Sequence, residues 1–285
     1  MSETPVCTKA IIPVAGFGTR RLPITKAVEK CMLPIGDRPV IDYVVEDCLK
    51  AGVRDIYFVV GEEFQQLKRY YGHHQLLEEH LRSHDKTAEL EQINALADKA
   101  RFHYIIQDQH QPYGTAVPIA LCARLIAPGE QVLVAGGDDF VLNEDGASEM
   151  MRLLEAVNKA GATAGMLAAE IPREETGRYG VLQTTTDDDG NMIFQQVVEH
   201  PDPTTTPNTL INITKFVFDS DMLECAKKVL EMPPAANGEY QLTEALNLYS
   251  KHDRRLVVLP IRGEYLDGGT TTGWLHANNR IVGQK

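Results

Sequence analysis

The sequence predicts an α/β fold with helices on both faces of a mixed, mostly parallel central sheet. Short runs rich in β-branched residues alternate with helical patterns, and the first run ends in a glycine-rich turn. The 285 residues are 43% hydrophobic and 24% charged, which suffices for a buried core without disulfides or structural metals. Because neither an internal repeat nor a linker is visible, we predict one domain over residues 1–285.

The first half of the chain predicts the parallel part of the sheet. Residues 9–14 (KAIIPV) and 54–60 (RDIYFVV) are strand-like, and residues 40–50 place apolar side chains at helical spacing before Gly52. This alternation favours parallel strands with right-handed crossovers. The remaining predictions for this half are one or two surface helices in 64–99, strands at 102–106 and 131–135, and a helix at 114–125.

The second half predicts antiparallel pairing. Residues 179–183 and 192–198 flank an Asp-Asp-Asp-Gly run at 187–190, which is a hairpin signal. The other elements predicted here are strands at 163–171, 210–218 and 256–261, and helices at 150–157, 219–230 and 241–249.

Composition excludes some partners and predicts a compartment. The formal net charge is −12, with 28 Lys and Arg against 40 Asp and Glu, so we expect neither nucleic acid nor a membrane as partner. The five cysteines are widely spaced without a C-x-x-C motif, and residues 1–9 lack the apolar region of a signal peptide. These observations predict a cytoplasmic protein with reduced thiols.

The segment 15–23 (AGFGTRRLP) predicts a phosphate-binding loop. Gly16 and Gly18 allow the backbone to turn tightly and to bring N–H groups against phosphate oxygens. The dinucleotide fingerprint would need glycine where Arg21 stands, and the P-loop motif is absent. Within an acidic protein, four cations in eleven residues favour an anionic ligand over a solvated basic turn: Arg20, Arg21, Lys26 and Lys30.

These residues resemble the nucleotidyltransferases that make nucleoside-diphosphate sugars, whose signature is G-x-G-T-R-x-x-P followed by K-x-x-L-P. The chain reads GFGTRRLP at 16–23 and KCMLP at 30–34. Within that family it is most similar to bacterial UTP–glucose-1-phosphate uridylyltransferases, through LPITK at 22–26, the charged segment before the third strand, and GEYQLT at 238–243.

The resemblance implies a fold and a reaction. The fold is the three-layer, Rossmann-like nucleotidyltransferase fold, with nucleotide bound by about residues 1–145 and sugar by about 146–285. The reaction makes UDP-glucose and pyrophosphate from UTP and glucose 1-phosphate. The resemblance also allows a homo-oligomer with contacts through residues 64–99.

The resemblance implies roles around the phosphates. Asp138 and Asp267 would bind Mg²⁺, although an Asp-Asp pair after a strand, taken alone, is more often a turn or helix cap. Arg20 and Lys30 would contact the leaving phosphates as catalytic residues. The surrounding nucleotide-binding positions would be Ala15, Gly16, Gly18 and Thr19.

The resemblance also implies contacts to the base and the sugar. Gln109 offers both a donor and an acceptor to a pyrimidine, and Gly114 would let the base approach the backbone. From the residues alone, a polar loop with a glycine at a helix start is a serious competitor for this segment, and Glu199 is equally well explained as a solvated carboxylate at a strand end. The sugar-binding positions would be Tyr179, Gly180, Glu199 and His200.

Three departures from the family pattern keep alternatives open. His200 stands where a lysine usually contacts the sugar phosphate, and histidine is only partly charged near neutral pH. Glu29 and Cys31 flank Lys30 in place of proline and glutamate, and residues 213–216 (ITKF) replace a small residue and Gly-Arg-Tyr. A nucleotidyltransferase for another base or sugar (dTTP or CTP, for example), or a catalytically weak regulatory paralogue, therefore remains an alternative.

Overall fold

The computed structural model describes residues 7–283 except 109, 111, 200, 207, 252 and 253. The strands of this part are β1 Lys9–Pro13, β2 Pro34–Ile35, β3 Arg38–Pro39, β4 Asp55–Val60, β5 Arg101–Ile106, β6 Gln131–Ala135, β7 Asp139–Leu142, β8 Ala164–Glu170, β9 Gly180–Thr186, β10 Met192–Glu199, β11 Leu210–Asp219, β12 Leu256–Pro260 and β13 Glu264–Asp267. The α-helices are α1 Val40–Lys50, α2 Gln66–Tyr71, α3 Gln75–Ser83, α4 Thr87–Ala97, α5 Val117–Leu121, α6 Glu149–Lys159, α7 Ser220–Val229, α8 Leu242–Ser250 and α9 Thr271–Val282.

One large sheet runs through both halves of the described chain, in the order β5-β4-β1-β6-β11-β8-β12-β10-β9. The strands β5, β4, β1 and β6 are parallel neighbours, as are β8 and β12. Only β10 and β11 run against the other seven, because their pairings with β6, β8, β9 and β12 are antiparallel. This confirms the mixed, mostly parallel sheet.

The core has two apolar layers, one on each face of the sheet. Along β1, Ala10 and Ile12 face one layer and Ile11 faces the other, as the alternation of side chains in a strand requires. Helices α1 and α6 contribute to the first layer, and α5, α7 and α8 to the second. The three-layer architecture is therefore confirmed.

Two helical segments differ from their predicted lengths. Residues 64–99 form three helices, α2 to α4, because Gly72 follows the first and Asp85, with φ +56°, interrupts the next stretch. The helix predicted over 114–125 begins only at Val117, since Gly114 has φ +135° and cannot be helical, and it continues after α5 as a 3₁₀ turn.

The sequence did not indicate β7, β13 or α9. Both strands have four residues, and they pair with each other across more than a hundred residues of chain. That pairing brings the end of the chain back to the end of β6. The C-terminal segment consequently packs with the predicted nucleotide-binding half.

The five cysteines are buried and free. Burial raises the pKa of the Cys7 and Cys122 thiols to about 12, so both are protonated at neutral pH. Within the described residues, no helix has the length and apolar character needed to cross a bilayer.

Candidate active site

The glycine-rich loop turns sharply after β1. Gly18 has φ +65°, and a Cβ there would lie 3.0 Å from Thr25 Cγ2 and 3.2 Å from Lys30 Cβ, so only glycine fits without strain. The Thr25 hydroxyl closes the loop by donating to the Gly18 carbonyl over 2.9 Å. Gly16, by contrast, has no atom within 4 Å of the place where its Cβ would stand. The backbone at Gly16 is therefore open to a ligand.

A cavity of about 590 Å³ lies between this loop and the turn that follows β4. Its volume is in the range of small-molecule sites. A second cavity of about 140 Å³ adjoins Gly16, Lys30, Gly137 and Asp138. Among the predicted phosphate-binding residues, the larger cavity is lined by Ala15, Gly16, Thr19, Lys26 and Lys30.

Two adjacent arginines have different environments. Arg20 is exposed, and no hydrogen bond ties it to another described residue. Arg21 is only 7% exposed, donates from Nη1 to the Thr270 carbonyl over 2.8 Å, and lies 5.1 Å from the Trp274 ring centroid. Arg21 therefore fastens the loop to the start of α9 and, unlike Arg20, leaves little of its side chain exposed to a ligand.

Lys30, Asp138 and Asp267 converge at one point. A Cβ built on Gly269 would lie 2.6 Å from Asp138 Oδ2, 2.9 Å from Asp267 Oδ1 and 3.0 Å from Lys30 Nζ. Lys30 and Asp138 form an ion pair. Only the absence of a side chain at Gly269 leaves these three groups room to meet. The sequence reasoning did not identify Gly269, although its place in the run Asp-Gly-Gly-Thr at 267–270 was a usable signal.

Asp267 is held in place by its own turn. Its Oδ1 accepts the N–H of Gly269 over 2.7 Å, and its Oδ2 accepts the Thr270 hydroxyl over 3.1 Å. In the β7–β13 ladder, Asp267 lies opposite Asp139. The pairing thus delivers the Asp267 carboxylate to the turn that carries Asp138.

Asp139, the other member of the Asp-Asp pair, points into the protein. It forms a buried ion pair with Lys215 and accepts the Tyr265 hydroxyl over 3.0 Å. Burial raises the pKa of Asp139, and the Lys215 ammonium opposes that shift. Asp138 is therefore the aspartate of this pair that lines the smaller cavity, and Lys215 is paired with Asp139.

The described residues contain no cluster of three or more His, Cys, Asp or Glu side chains that could hold a metal ion. Two carboxylates suffice for Mg²⁺ when substrate phosphates and water supply the remaining oxygens. Asp138 and Asp267 fit that requirement, since their oxygens lie within 3.0 Å of a common point.

The predicted base-reading residues are only partly within the described structure. Gln109 lies outside the described residues. A Cβ on Gly114 would come within 2.3 Å of the Tyr240 carbonyl oxygen, and the N–H of Ala116 donates to that oxygen over 2.9 Å. The loop that contains Gly114 thus packs against the GEYQLT segment at 238–243, and this close approach explains why the residue is glycine.

Two of the predicted sugar-binding residues, Gly180 and Glu199, meet across the β9–β10 hairpin. Gly180 pairs with Glu199, and both Glu199 carboxylate oxygens lie 3.1 Å from a Cβ built on Gly180. Glu199 is exposed and Tyr179 is half-buried. His200 lies outside the described residues. Ile211 of β11 pairs with Val181 while Lys215 of the same strand pairs with Ala135, so β11 connects this hairpin to the end of β6.

Comparisons with known proteins show the family of the chain. The model of the nucleotidyl transferase family matches residues 9–284. The putative UTP–glucose-1-phosphate uridylyltransferase of Methanocaldococcus jannaschii is 33% identical over 278 residues, covering 97% of this chain and 94% of that one. The UTP–glucose-1-phosphate uridylyltransferase of Bacillus subtilis is 33% identical over 267 residues, covering 94% of this chain and 88% of that one.

Solved structures give the same result. A UDP-glucose pyrophosphorylase complexed with UDP-glucose matches with a TM-score of 0.83 and 29% identity, over 98% of this chain and all of that one. An apo UDP-glucose pyrophosphorylase matches with a TM-score of 0.87. From β1 to the last helix, the chain belongs to the nucleotidyl transferase family.

Proposed function

We propose that the protein is a UTP–glucose-1-phosphate uridylyltransferase, which makes UDP-glucose and pyrophosphate. The observation that carries the proposal is the convergence of Lys30, Asp138 and Asp267 beside a glycine-rich loop. The names of the relatives in M. jannaschii and B. subtilis support the choice of UTP and glucose 1-phosphate.

The reaction is an in-line displacement. An oxygen of the sugar phosphate attacks the α-phosphorus of UTP, and the bond from that phosphorus to the pyrophosphate oxygen breaks. No protein nucleophile is required, so the chain contributes position and charge. Arg20 and Lys30 stabilise the negative charge that moves onto pyrophosphate. Asp138 and Asp267 would hold Mg²⁺, which when bound neutralises phosphate charge.

The binding roles follow the two halves of the chain. In about residues 1–145, the loop positions Ala15, Gly16, Gly18 and Thr19 would surround the phosphates. In about residues 146–285, the sugar hydroxyls would meet the hairpin. The base would be read by Gln109 and Gly114, and the sugar by Tyr179, Gly180, Glu199 and His200.

We also propose a cytoplasmic location, which the five free thiols support. The acidic net charge supports small phosphates, rather than nucleic acid or membrane, as the anionic partners. A homo-oligomer through residues 64–99 stays a prediction.

The direct test is release of pyrophosphate by the purified protein with Mg²⁺, glucose 1-phosphate and one nucleoside triphosphate at a time. We expect release with UTP and its loss on addition of a chelator. Release with dTTP or CTP instead would keep the chemistry and change the specificity. Absence of release with every triphosphate and several sugar phosphates would contradict the enzymatic proposal and favour a regulatory paralogue.

The variant His200→Lys tests the departure at the sugar phosphate. If charge is deficient there, a full positive charge raises kcat/KM by roughly tenfold or more. An unchanged rate would show that His200 is not what limits the reaction.

A further inference from the structure

Glu29 immediately precedes Lys30, and its side chain reaches the beginning of α2. Its Oε1 accepts the N–H groups of Gln65 and Gln66 over 2.7 and 2.6 Å, and its Oε2 accepts the N–H of Leu67 over 3.2 Å. These amides open a helix whose own N-cap residue, Gln65, forms no side-chain cap. Glu29 therefore supplies the helix cap from elsewhere in the chain.

The connection is reciprocal. The Gln66 side chain accepts the N–H of Glu29 at Oε1 over 2.9 Å and donates from Nε2 to the Ala27 carbonyl over 3.0 Å. Five hydrogen bonds thus join residues 27–29 to the first turn of α2. A proline at position 29, which the resembling enzymes usually carry, could form none of the four bonds that involve Glu29.

Helix α2 is a firm support because its buried face is anchored in the core. Leu67 and Tyr71 are 0% and 3% exposed. The Tyr71 ring lies 4.3 Å from that of Phe102, and its hydroxyl donates to Asp42 Oδ1 over 3.1 Å. Residues 27–29, which are hydrogen-bonded to the first turn of α2, are consequently held in place relative to the sheet.

Lys30 is held from both sides by this arrangement. Its side chain pairs with Asp138, while the carbonyl of Glu29 accepts the Met32 N–H over 2.8 Å and so starts the turn that carries Lys30. The segment before it contains two 3₁₀ turns, at Thr19–Arg21 and Ile24–Lys26, and the bonds made by Glu29 and Gln66 join the end of this segment to α2. A displaced Glu29 backbone would move the Lys30 ammonium from the point it shares with Asp138 and Asp267.

We propose that Glu29 is a positioning residue that fixes Lys30 for the displacement step by tying its backbone to α2. The inference rests on the proposed function, because it assigns Glu29 a role in that reaction. It predicts that Glu29 acts on the rate through Lys30 rather than by contact with substrate.

The first test compares Glu29→Ala, Glu29→Gln and the control Glu62→Ala, whose side chain is exposed near the same turn. Glu29→Ala should lower kcat at 25 °C roughly 10- to 100-fold, because small displacements of catalytic groups have effects of that size. KM for both substrates should stay within about threefold, and Glu29→Gln should recover part of the rate by keeping one acceptor. A wild-type kcat in folded Glu29→Ala, with only a lower Tm, would overturn the proposal.

A second variant, Gln66→Ala, tests the other side of the connection. It removes the two bonds of the Gln66 amide and leaves the three bonds of the Glu29 carboxylate, so it should lower kcat by less than Glu29→Ala does, and the double variant should have the lowest kcat of the three. A folded double variant with wild-type kcat would contradict the proposal.

Hydrogen exchange separates this proposal from the proposed function. In Glu29→Ala, the amides of residues 30–33 and 65–71 should both exchange faster than in the wild type. Faster exchange in 65–71 alone would show that Glu29 caps α2 without ordering Lys30. If the wild type released no pyrophosphate with any substrate, the proposed function would fail, while exchange would still decide whether Glu29 orders Lys30.

Discussion

Two lysine–aspartate pairs lie on opposite sides of the turn after β6. On the loop side, the side chains of Lys30 and Asp138 are 18% and 30% exposed. On the β11 side, those of Lys215 and Asp139 are 3% and 9% exposed. The chemical groups are identical, so accessibility separates the pair that we propose contacts substrate from the pair that lies in the interior.

The same distinction recurs in the two adjacent arginines of the phosphate loop. Arg20 is exposed, whereas Arg21 is fastened to Thr270 and Trp274. In both neighbouring pairs, Arg20 with Arg21 and Asp138 with Asp139, the more exposed side chain lies beside a buried one that stabilises the surrounding structure. Substitutions should divide accordingly into effects on rate and effects on stability.

The largest effect is expected at Lys30. Lys30→Ala removes a charge from the developing transition state and should lower kcat by roughly 10³- to 10⁵-fold, the range for cations that stabilise phosphoryl transfer. Its free energy of unfolding should change by about 1 kcal/mol or less, since the ion pair is partly exposed. Pyrophosphate release and urea unfolding measure the two quantities. The exposed Lys50 of α1 provides the control, and Lys50→Ala should retain full activity.

Arg20→Ala should behave as Lys30→Ala does, with kcat reduced by orders of magnitude in a folded protein. Normal turnover in this variant would refute the assignment of the phosphate loop. Arg21→Ala, in contrast, should lower Tm because it releases the loop from α9.

At Lys215 the effect should be on stability. Lys215→Met leaves the Asp139 carboxylate buried without its cation, which costs about 3–5 kcal/mol in comparable pairs. The double variant Lys215→Met/Asp139→Leu should recover much of this loss, because no charge then stays buried. Urea unfolding measures both, and a single variant as stable as the wild type would contradict the role given to this pair.

Local pattern was enough to predict the glycine-rich turn after β1 but not the convergence of Asp138 and Asp267 near it. The loop depends on a β-branched strand followed by Gly16 and Gly18, all within a few residues. The Asp138–Asp267 arrangement depends on β7 and β13, short strands whose pairing is a tertiary event. From spacing alone, Asp138 could not be told from Asp139, nor Arg20 from Arg21, since their partners are distant in sequence. The family resemblance, not the local pattern, pointed to Asp138, Asp267 and Arg20.

Gly114 lies where a loop must approach a backbone. Gly114→Ala would place a Cβ about where the Tyr240 backbone is and would force φ +135° on a residue with a side chain. We expect a loss of roughly 1–3 kcal/mol in the free energy of unfolding. Gly129→Ala is a useful comparison, because Gly129 also has positive φ but has no atom within 4 Å of its Cβ position. Equal losses in the two variants would mean that the approach to Tyr240 is unimportant.

The smallest effect is expected at Thr214, in β11 beside the turn that carries Asp138. Thr214 has φ +52°, an unfavourable conformation for a β-branched residue, while its carbonyl accepts the N–H of Gly136 over 2.8 Å. Thr214→Gly should raise the free energy of unfolding by about 1 kcal/mol, because glycine relieves the strain and keeps that backbone bond. Thermal unfolding should show a Tm about 2 °C higher.

Thr184 lies in β9 and has a negative φ. Thr184→Gly is therefore the control for the direction of the stability change in Thr214→Gly. It should lower stability by about 0.5–1 kcal/mol, the usual effect of glycine in a strand. If both threonine variants lost stability, strain at Thr214 would be refuted. If Thr214→Gly gained stability but lost kcat, the strained backbone would contribute to holding Gly136 and Asp138 in their working positions. Unchanged kcat would show that the Lys215–Asp139 side of the turn fixes the fold without setting the rate.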